Sequence, residues 1–137
     1  MKVREIMTTN VECLGPMTNA IELSHRMKTL DVGFLPICEN DRLIGTVTDR
    51  DIVIRGIAEG RDIKTCTARE IMTQEVFWCF EDDDVKDVTE KMSDKEVRRM
   101  LILNEDKRLV GVVSLGDISK VEEKGSGKAL KDITEAA

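Results

Sequence analysis

Apolar and polar positions follow two different periods in the first part of the chain. In residues 18–30, apolar side chains recur at spacings of three and four, which predicts a helix that buries one face and that Thr18 or Asn19 can cap. Around it, short apolar runs bounded by turn-forming residues predict strands. The predicted elements are a strand at 11–14, a helix that buries Ala20, Leu23, Met27 and Leu30, a hairpin of strands at 34–38 and 43–48, and a helix at 49–58.

The second half of the chain repeats this order of elements. Arg4–Thr8 returns as Arg69–Thr73 at an offset of 65, and beyond Lys107 the offset becomes 66. The repeated elements are a strand at 76–80, a helix at about 84–93, strands at 99–103 and 108–114, and a helix at 115–123. The chain is therefore predicted to consist of two copies of one structural repeat, and the fold must be assigned from that repeat.

Each half has the order β-α-β-β-α, so the predicted fold class is α/β (α+β). A half of about 60 residues buries too little surface to be stable alone, so we expect the two repeats to pack against each other about a pseudo-twofold axis. The predicted domains are the first repeat with a connecting segment, 1–66, the second repeat, 67–124, and a flexible C-terminal tail, 125–137. The tail has a possible short helix at 129–135 and is either a linker or a contact arm.

Composition and charge narrow the classes of function. No apolar run approaches the roughly 20 residues that cross a membrane, and the opening residues contain no apolar signal region, so we expect a cytoplasmic protein without a membrane partner. The net charge is −6, from 21 basic and 27 acidic residues, so no basic field attracts nucleic acid.

The four cysteines offer two interpretations. They include no CxxC pair, and the chain has one histidine, so we expect no metal site. Cys13 and Cys38 lie on two predicted strands of one half, where they are either a redox-sensitive pair or two reduced core cysteines.

A motif with the pattern G-x-x-T/S-x-x-D ends the hairpin of each half. It is Gly45, Thr48 and Asp51 in the first copy and Gly111, Ser114 and Asp117 in the second. One interpretation is a helix cap, because T-x-x-D and S-x-x-D are capping boxes. The other is a nucleotide site, in which the hydroxyl and the helix start hold a phosphate, the carboxylate accepts from ribose hydroxyls, and the glycine lets the ligand approach the backbone.

Three features together resemble a known family. The opening Arg-Glu-Ile-Met-Thr of each repeat, the Leu35-Pro36-Ile37 strand and the G-x-x-T/S-x-x-D ending are similar to tandem CBS domains, which form a Bateman module, over about residues 3–122. Residues 32–56 are most similar to small stand-alone bacterial members of the hypoxic response protein type. The resemblance implies two clefts between the repeats that hold adenosine-containing ligands.

The family's site residues can be transferred onto this chain by position. The resemblance implies a first site formed by Asn10, Val11, Phe34, Leu35, Thr48 and Asp51, with Arg98 and Arg99 of the second repeat binding the phosphates. It implies a second site formed by Val76, Met100, Ser114 and Asp117. The second site would receive Gly33 and Phe34 in place of two arginines, and it has Leu101 where the first copy has Pro36. We therefore expect the first site to bind nucleotide better.

The resemblance implies a non-catalytic regulatory module that senses adenine nucleotides, needs no cofactor and acts on an unidentified protein target. The expected ligand is AMP, ADP or ATP, ahead of NAD or S-adenosylmethionine. A homodimer is expected through apolar helix faces, namely those after the two G-x-x-T/S-x-x-D motifs and those near 20–30 and 85–92. The alternative is a ligand-free or redox-responsive interaction scaffold in which the two boxes only cap helices. No nucleophile and base can be paired, so we expect no catalysis.

Overall fold

The computed structural model describes residues 1–121, which form two compact units of mixed helix and strand. The first-repeat unit is Glu12–Val76, and the second-repeat unit combines Met1–Val11 with the chain from Phe77 onward. These units are offset from the predicted boundaries at 1–66 and 67–124, because the opening residues of each repeat pack on the strands of the other repeat. The predicted tail, 125–137, lies outside the described residues.

Helix α1 of the first-repeat unit spans Ala20–Leu30. It begins at Asn19, whose Oδ1 accepts a hydrogen bond from the Glu22 amide at 2.9 Å. Its buried residues are Ala20, Leu23 and Met27, as the spacing predicts. Leu30 was predicted to face inward, but it is 37% exposed, because it lies in the last turn, next to Asp31 in the left-handed conformation.

The first-repeat unit also contains a hairpin and three helical segments. Strands β1, Phe34–Glu39, and β2, Arg42–Thr48, pair antiparallel. Helix α2, Asp49–Asp51, continues directly as a π-helix, Ile52–Ile57, and α3, Ala68–Ile71, follows.

The predicted strand at 11–14 is wrong, since only Leu14 pairs there, in a single parallel bridge with Ile37. Gly15 and Pro16 come next in the chain, and proline has no N–H with which to extend the pairing.

The second-repeat unit carries the equivalent elements and a fuller sheet. Strand β3, Trp78–Phe80, pairs parallel with β4, Arg99–Leu103, which pairs antiparallel with β5, Leu109–Ser114. The helices are α4, Val85–Lys95, and α5, Leu115–Ser119, and Val3–Glu5 forms a 3-10 turn. The second-half predictions therefore agree with the structure in the order of elements, but β3 is shorter than 76–80 and α5 ends at Ser119, before the predicted end at 123. Residues 120 and 121 form a turn, and 122–123 lie outside the described residues.

Each unit has its own hydrophobic core. In the first-repeat unit, α1 and α3 pack on the buried faces of β1 and β2, and in the second-repeat unit α4 and the 3-10 turn pack on β4 and β5. The first core includes Leu23, Leu35, Ile37, Val47 and Ile71, and the second includes Val3, Val88, Met92, Met100, Ile102 and Ile118. No helix within residues 1–121 combines the length and the apolar character that crossing a membrane requires.

A Met-Thr segment closes the open edge of the hairpin in each unit. Thr46 of β2 and Thr73 exchange two backbone hydrogen bonds, of 3.0 and 2.8 Å, and Val112 of β5 and Thr8 do the same at 3.0 and 2.9 Å. A Cβ added to Gly45 would lie 2.8 Å from the Met72 Sδ and 2.9 Å from the Thr73 carbonyl oxygen. The glycine that was expected to admit a ligand is therefore required by the chain's own backbone.

We predict that Gly45→Ala lowers the free energy of unfolding by about 2 kcal/mol, because the new Cβ must displace a backbone carbonyl rather than a flexible side-chain end. Urea unfolding of the purified protein measures it. Gly56→Ala is the matched control, since a Cβ there meets no atom within 4 Å and alanine favours the helix. Equal effects of the two substitutions would contradict the proposed close approach.

Candidate functional site

The G-x-x-T-x-x-D motif of the first repeat forms the junction between β2 and α2. The Thr48 hydroxyl accepts from the Asp51 amide at 3.1 Å, and Oδ2 of Asp51 accepts from the Thr48 amide at 2.9 Å. This is a complete capping box, so the capping interpretation is confirmed at this junction.

The second copy forms the same box between β5 and α5. Ser114 Oγ accepts from the Asp117 amide at 3.2 Å, and Asp117 Oδ2 accepts from the Ser114 amide at 2.9 Å. The two junctions therefore have equivalent geometry to within a few tenths of an ångström in each unit.

Capping leaves binding capacity at each junction. A hydroxyl that accepts a hydrogen bond still has its own O–H to donate, and a carboxylate has further lone pairs on both oxygens. The Asp51 side chain is 13% exposed, and its Oδ1 takes no part in the box. Each junction can therefore present a carboxylate that accepts hydrogen bonds from vicinal hydroxyls, and beside it a hydroxyl that can donate to a phosphate.

Four of the predicted site residues lie at the strand starts beside the junctions. Phe34 is half-buried and is the register partner of Thr48, and Arg99 is exposed and is the register partner of Ser114. Leu35 and Met100 are 1% and 0% exposed in the two cores, and their contact with a ligand stays a prediction. Alternation along a strand turns each of them to the core face when its neighbour faces the junction.

The other predicted residues lie on extended segments or at a strand start. Asn10 is exposed, and Val11 and Val76 are half-buried, each shortly after a Met-Thr segment. Arg98 is exposed, and its carbonyl accepts from the Leu115 amide at 3.0 Å. The roles of these four residues in ligand binding stay predictions.

Arg55 was missed by the sequence analysis although it lies next to the first box. Its Nε is 3.9 Å from Asp51 Oδ1, and its Nη1 donates to the Met72 carbonyl at 3.0 Å. The spacing of four residues from Asp51 on a predicted helix was the signal available in the sequence.

The cysteines divide into a bonded pair and two buried thiols. Cys13 and Cys38 form a disulfide with their Cα atoms 5.9 Å apart. Cys66 and Cys79 are free and buried, and burial raises the pKa of both thiols, that of Cys79 to about 11. Within residues 1–121 no three histidine, cysteine, aspartate or glutamate side chains cluster as metal ligands.

Comparison with known proteins confirms the resemblance inferred from the motifs. The CBS domain model matches residues 3–56 and 68–124. Hypoxic response protein 1 of Mycobacterium tuberculosis is 37% identical over 118 residues, which make up 85% of this chain and 82% of that protein.

Two solved structures relate the fold to ligand-bound proteins. The crystal structure of Hypoxic Response Protein I with two coordinated zinc ions has a TM-score of 0.79 at 36% identity, covering 88% of this chain and 98% of that chain. The CBS domain pair of protein MJ0100, in complex with 5-methylthioadenosine and S-adenosyl-L-methionine, has a TM-score of 0.75 at 26% identity, covering 88% and 94%. Both halves of the chain are thus similar to proteins of one family, with the same fold.

Proposed function

The chain belongs to the CBS-domain family, and we propose that it is a non-catalytic regulatory module that binds an adenine nucleotide at its strand-to-helix junctions. The observation that carries the proposal is the equivalent pair of boxes, Thr48 with Asp51 and Ser114 with Asp117. A cap alone needs any short polar residue, whereas both copies keep a hydroxyl, a carboxylate and the same spacing.

The chemistry of the junctions favours a nucleotide. The carboxylate oxygen that the cap leaves available can accept from ribose hydroxyls, and the threonine or serine hydroxyl can donate to a phosphate. The MJ0100 domain pair, which has the same fold, is described with two ligands that both contain adenosine. AMP, ADP or ATP is the ligand class that we propose for this chain, ahead of NAD and S-adenosylmethionine.

A regulatory role follows if the ligand changes the population of conformations that a protein target recognises. A ligand shifts such an equilibrium only by the difference in its affinity for the two states. In this proposal the nucleotide binds the form in which the predicted residues surround it, and the target distinguishes that form from the empty one.

We predict that saturating AMP, ADP or ATP raises the thermal midpoint and that Asp51→Ala removes more of this shift than Asp117→Ala. A ligand at 100 times its dissociation constant adds about 2.7 kcal/mol of stability, which differential scanning fluorimetry detects. The readout is the ligand-induced shift, because loss of a cap lowers the midpoint of either variant by itself.

Asp94→Ala, which removes an exposed carboxylate of α4, is the control for charge. Equal losses in the two box variants would contradict the predicted preference for the first site. No shift of the unmodified protein with any of these nucleotides would contradict nucleotide binding itself.

A redox-responsive scaffold is the second candidate function, and the disulfide between Cys13 and Cys38 favours it. Cys13 lies two residues beyond the point where the chain passes from one unit to the other, at Val11 and Glu12. Besides the disulfide, this segment is held by the single bridge of Leu14 and by an ion pair between Glu12 and Arg26.

The second repeat holds the equivalent segment in a different way. There β3 makes three register pairs with β4, and the counterparts of Cys13 and Cys38 are Trp78 and Leu103. The disulfide thus stands where the second-repeat unit has strand pairing and aromatic packing, so reduction would release the crossing segment.

We predict that dithiothreitol lowers the unfolding free energy by roughly 3.5 kcal/mol, the loop-closure value for cysteines separated by 25 residues. Thermal denaturation with and without reductant measures the loss, and Cys13→Ser should have the midpoint of the reduced protein in both conditions. Cys66 and Cys79 are present in both proteins, and their raised pKa values keep them as unreactive thiols at neutral pH. An equal thermal midpoint of the unmodified protein with and without reductant would contradict this candidate function.

We also propose a homodimer through the π-helix of the first-repeat unit. Val53, Ile54 and Ile57 are 51%, 45% and 56% exposed, whereas Ser119, Lys120 and Glu123 occupy their positions in the second repeat. The groove beside them is lined by Lys28 and Asp49, opposite charges that a twofold axis can bring together. The expected contributions of the helices near 20–30 and 85–92 to a dimer surface stay predictions.

We predict that Ile57→Glu converts the dimer to a monomer in sedimentation equilibrium, because it places a charge in an apolar contact. Val121→Glu is the matched control, since Val121 is 47% exposed on the second repeat. Equal dissociation of both variants, or a monomeric unmodified protein, would contradict this interface.

A further inference from the structure

The Arg55 guanidinium bridges the first capping box and the end of α3. Its Nε lies 3.9 Å from Asp51 Oδ1, and its Nη1 donates to the carbonyls of Met72 at 3.0 Å and Ile71 at 3.5 Å. Backbone carbonyls at a helix C-terminus carry partial negative charge, so they hold a cation well. The positive charge of Arg55 is therefore held one helical turn from the carboxylate of the box.

The backbone around Arg55 is also fixed. Arg61 Nε donates to the Arg55 carbonyl at 3.1 Å, and Arg61 Nη1 donates to Glu70 of α3 at 2.6 Å. The turn that carries Arg55 is thus tied to α3 at two points. The Arg55 side chain is 47% exposed, so a ligand can approach its positive charge from the solvent.

The second box has a different set of charges, since Arg99 is the register partner of Ser114 where the first repeat has Phe34 beside Thr48. Val121 stands where the first repeat has Arg55. Lys120 lies three residues after Asp117, but no ion pair joins Asp117 to a basic side chain in residues 1–121. Two boxes of the same geometry therefore differ in electrostatic surroundings.

The difference in charge around the two boxes affects how strongly each box can bind a negatively charged ligand. A phosphorylated nucleotide brings negative charge toward the box carboxylate, and like charges at short range repel. The Arg55 cation offsets that repulsion at Asp51, and nothing at position 121 does so at Asp117. An uncharged nucleoside is indifferent to the same field.

We propose that Arg55 is a specificity-determining residue that makes the first site prefer a phosphorylated adenine nucleotide to an uncharged nucleoside. The inference rests on the proposed nucleotide-binding function and goes beyond it by assigning the selection for charge to a residue outside the G-x-x-T/S-x-x-D motif. Arg55 acts here through its charge and its hold on Asp51.

Calorimetric titration with AMP and with adenosine tests the assignment, using Asp117→Ala as the background so that the first site dominates. Arg55→Gln should weaken AMP binding roughly fivefold and leave adenosine within about twofold, as expected for one half-exposed charge. Arg55→Lys should keep most of the AMP affinity, and the AMP preference should shrink at high salt. Arg42→Gln is the control, because Arg42 lies at the opposite end of β2 and carries the same charge.

Each outcome has a distinct meaning. Equal changes for AMP and adenosine, or no change for either, would overturn the role of Arg55 while nucleotide binding stands. Binding of neither ligand by the unmodified protein would overturn the proposed function and this inference with it. If Arg55→Gln does not fold, the role of Arg55 is tested by Arg55→Lys and by the salt dependence of the ratio of AMP affinity to adenosine affinity. A ratio that changes with neither the substitution nor salt overturns the assignment.

Discussion

The close approach of a Met-Thr segment to a glycine is the constraint on which each unit depends. Only a residue without a Cβ at Gly45 lets Met72 and Thr73 lie against β2, and Gly111 serves Met7 and Thr8 in the same way. Because each segment comes from the opposite repeat in sequence, the chain must pass between the units twice, at Val11 and at Val76. The sequence repeats and the compact units are consequently different divisions of one chain.

The same approach organises the candidate site. Pairing of Thr46 with Thr73 fixes the end of β2, and the chain leaves that strand directly into the box of Thr48 and Asp51. The preceding residues of the segment, Ile71 and Met72, present the carbonyls that hold Arg55 beside the box. The end of β2, the capping box and the Arg55 guanidinium are therefore all held by contacts with residues 71–73. A substitution that weakens those contacts is expected to disturb all three.

Local periodicity was enough to predict β1, β2, β4, β5, α1 and α4, because each signal lies within one element. Properties that depend on distant residues were not predictable. Each Met-Thr segment pairs with a strand that is distant in the sequence. The glycine on that strand therefore contacts the Met-Thr segment, where a ligand had been expected. The burial of Leu35 and Met100 follows from strand alternation, and their roles in ligand binding stay predictions. The strand at 11–14 failed because its apolar residues gain only one bridge.

Duplication has preserved one feature and changed its surroundings. The capping boxes agree in every hydrogen bond, so both units keep a hydroxyl and a carboxylate at the junction of strand and helix. The surroundings of the boxes differ in both repeats. Arg55 and the disulfide belong to the first repeat, where the second has Val121 and β3, and Arg99 of the second repeat stands where the first has Phe34. Identical caps therefore stand in different electrostatic and covalent surroundings, so the two repeats are equivalent in backbone architecture and different in side-chain chemistry.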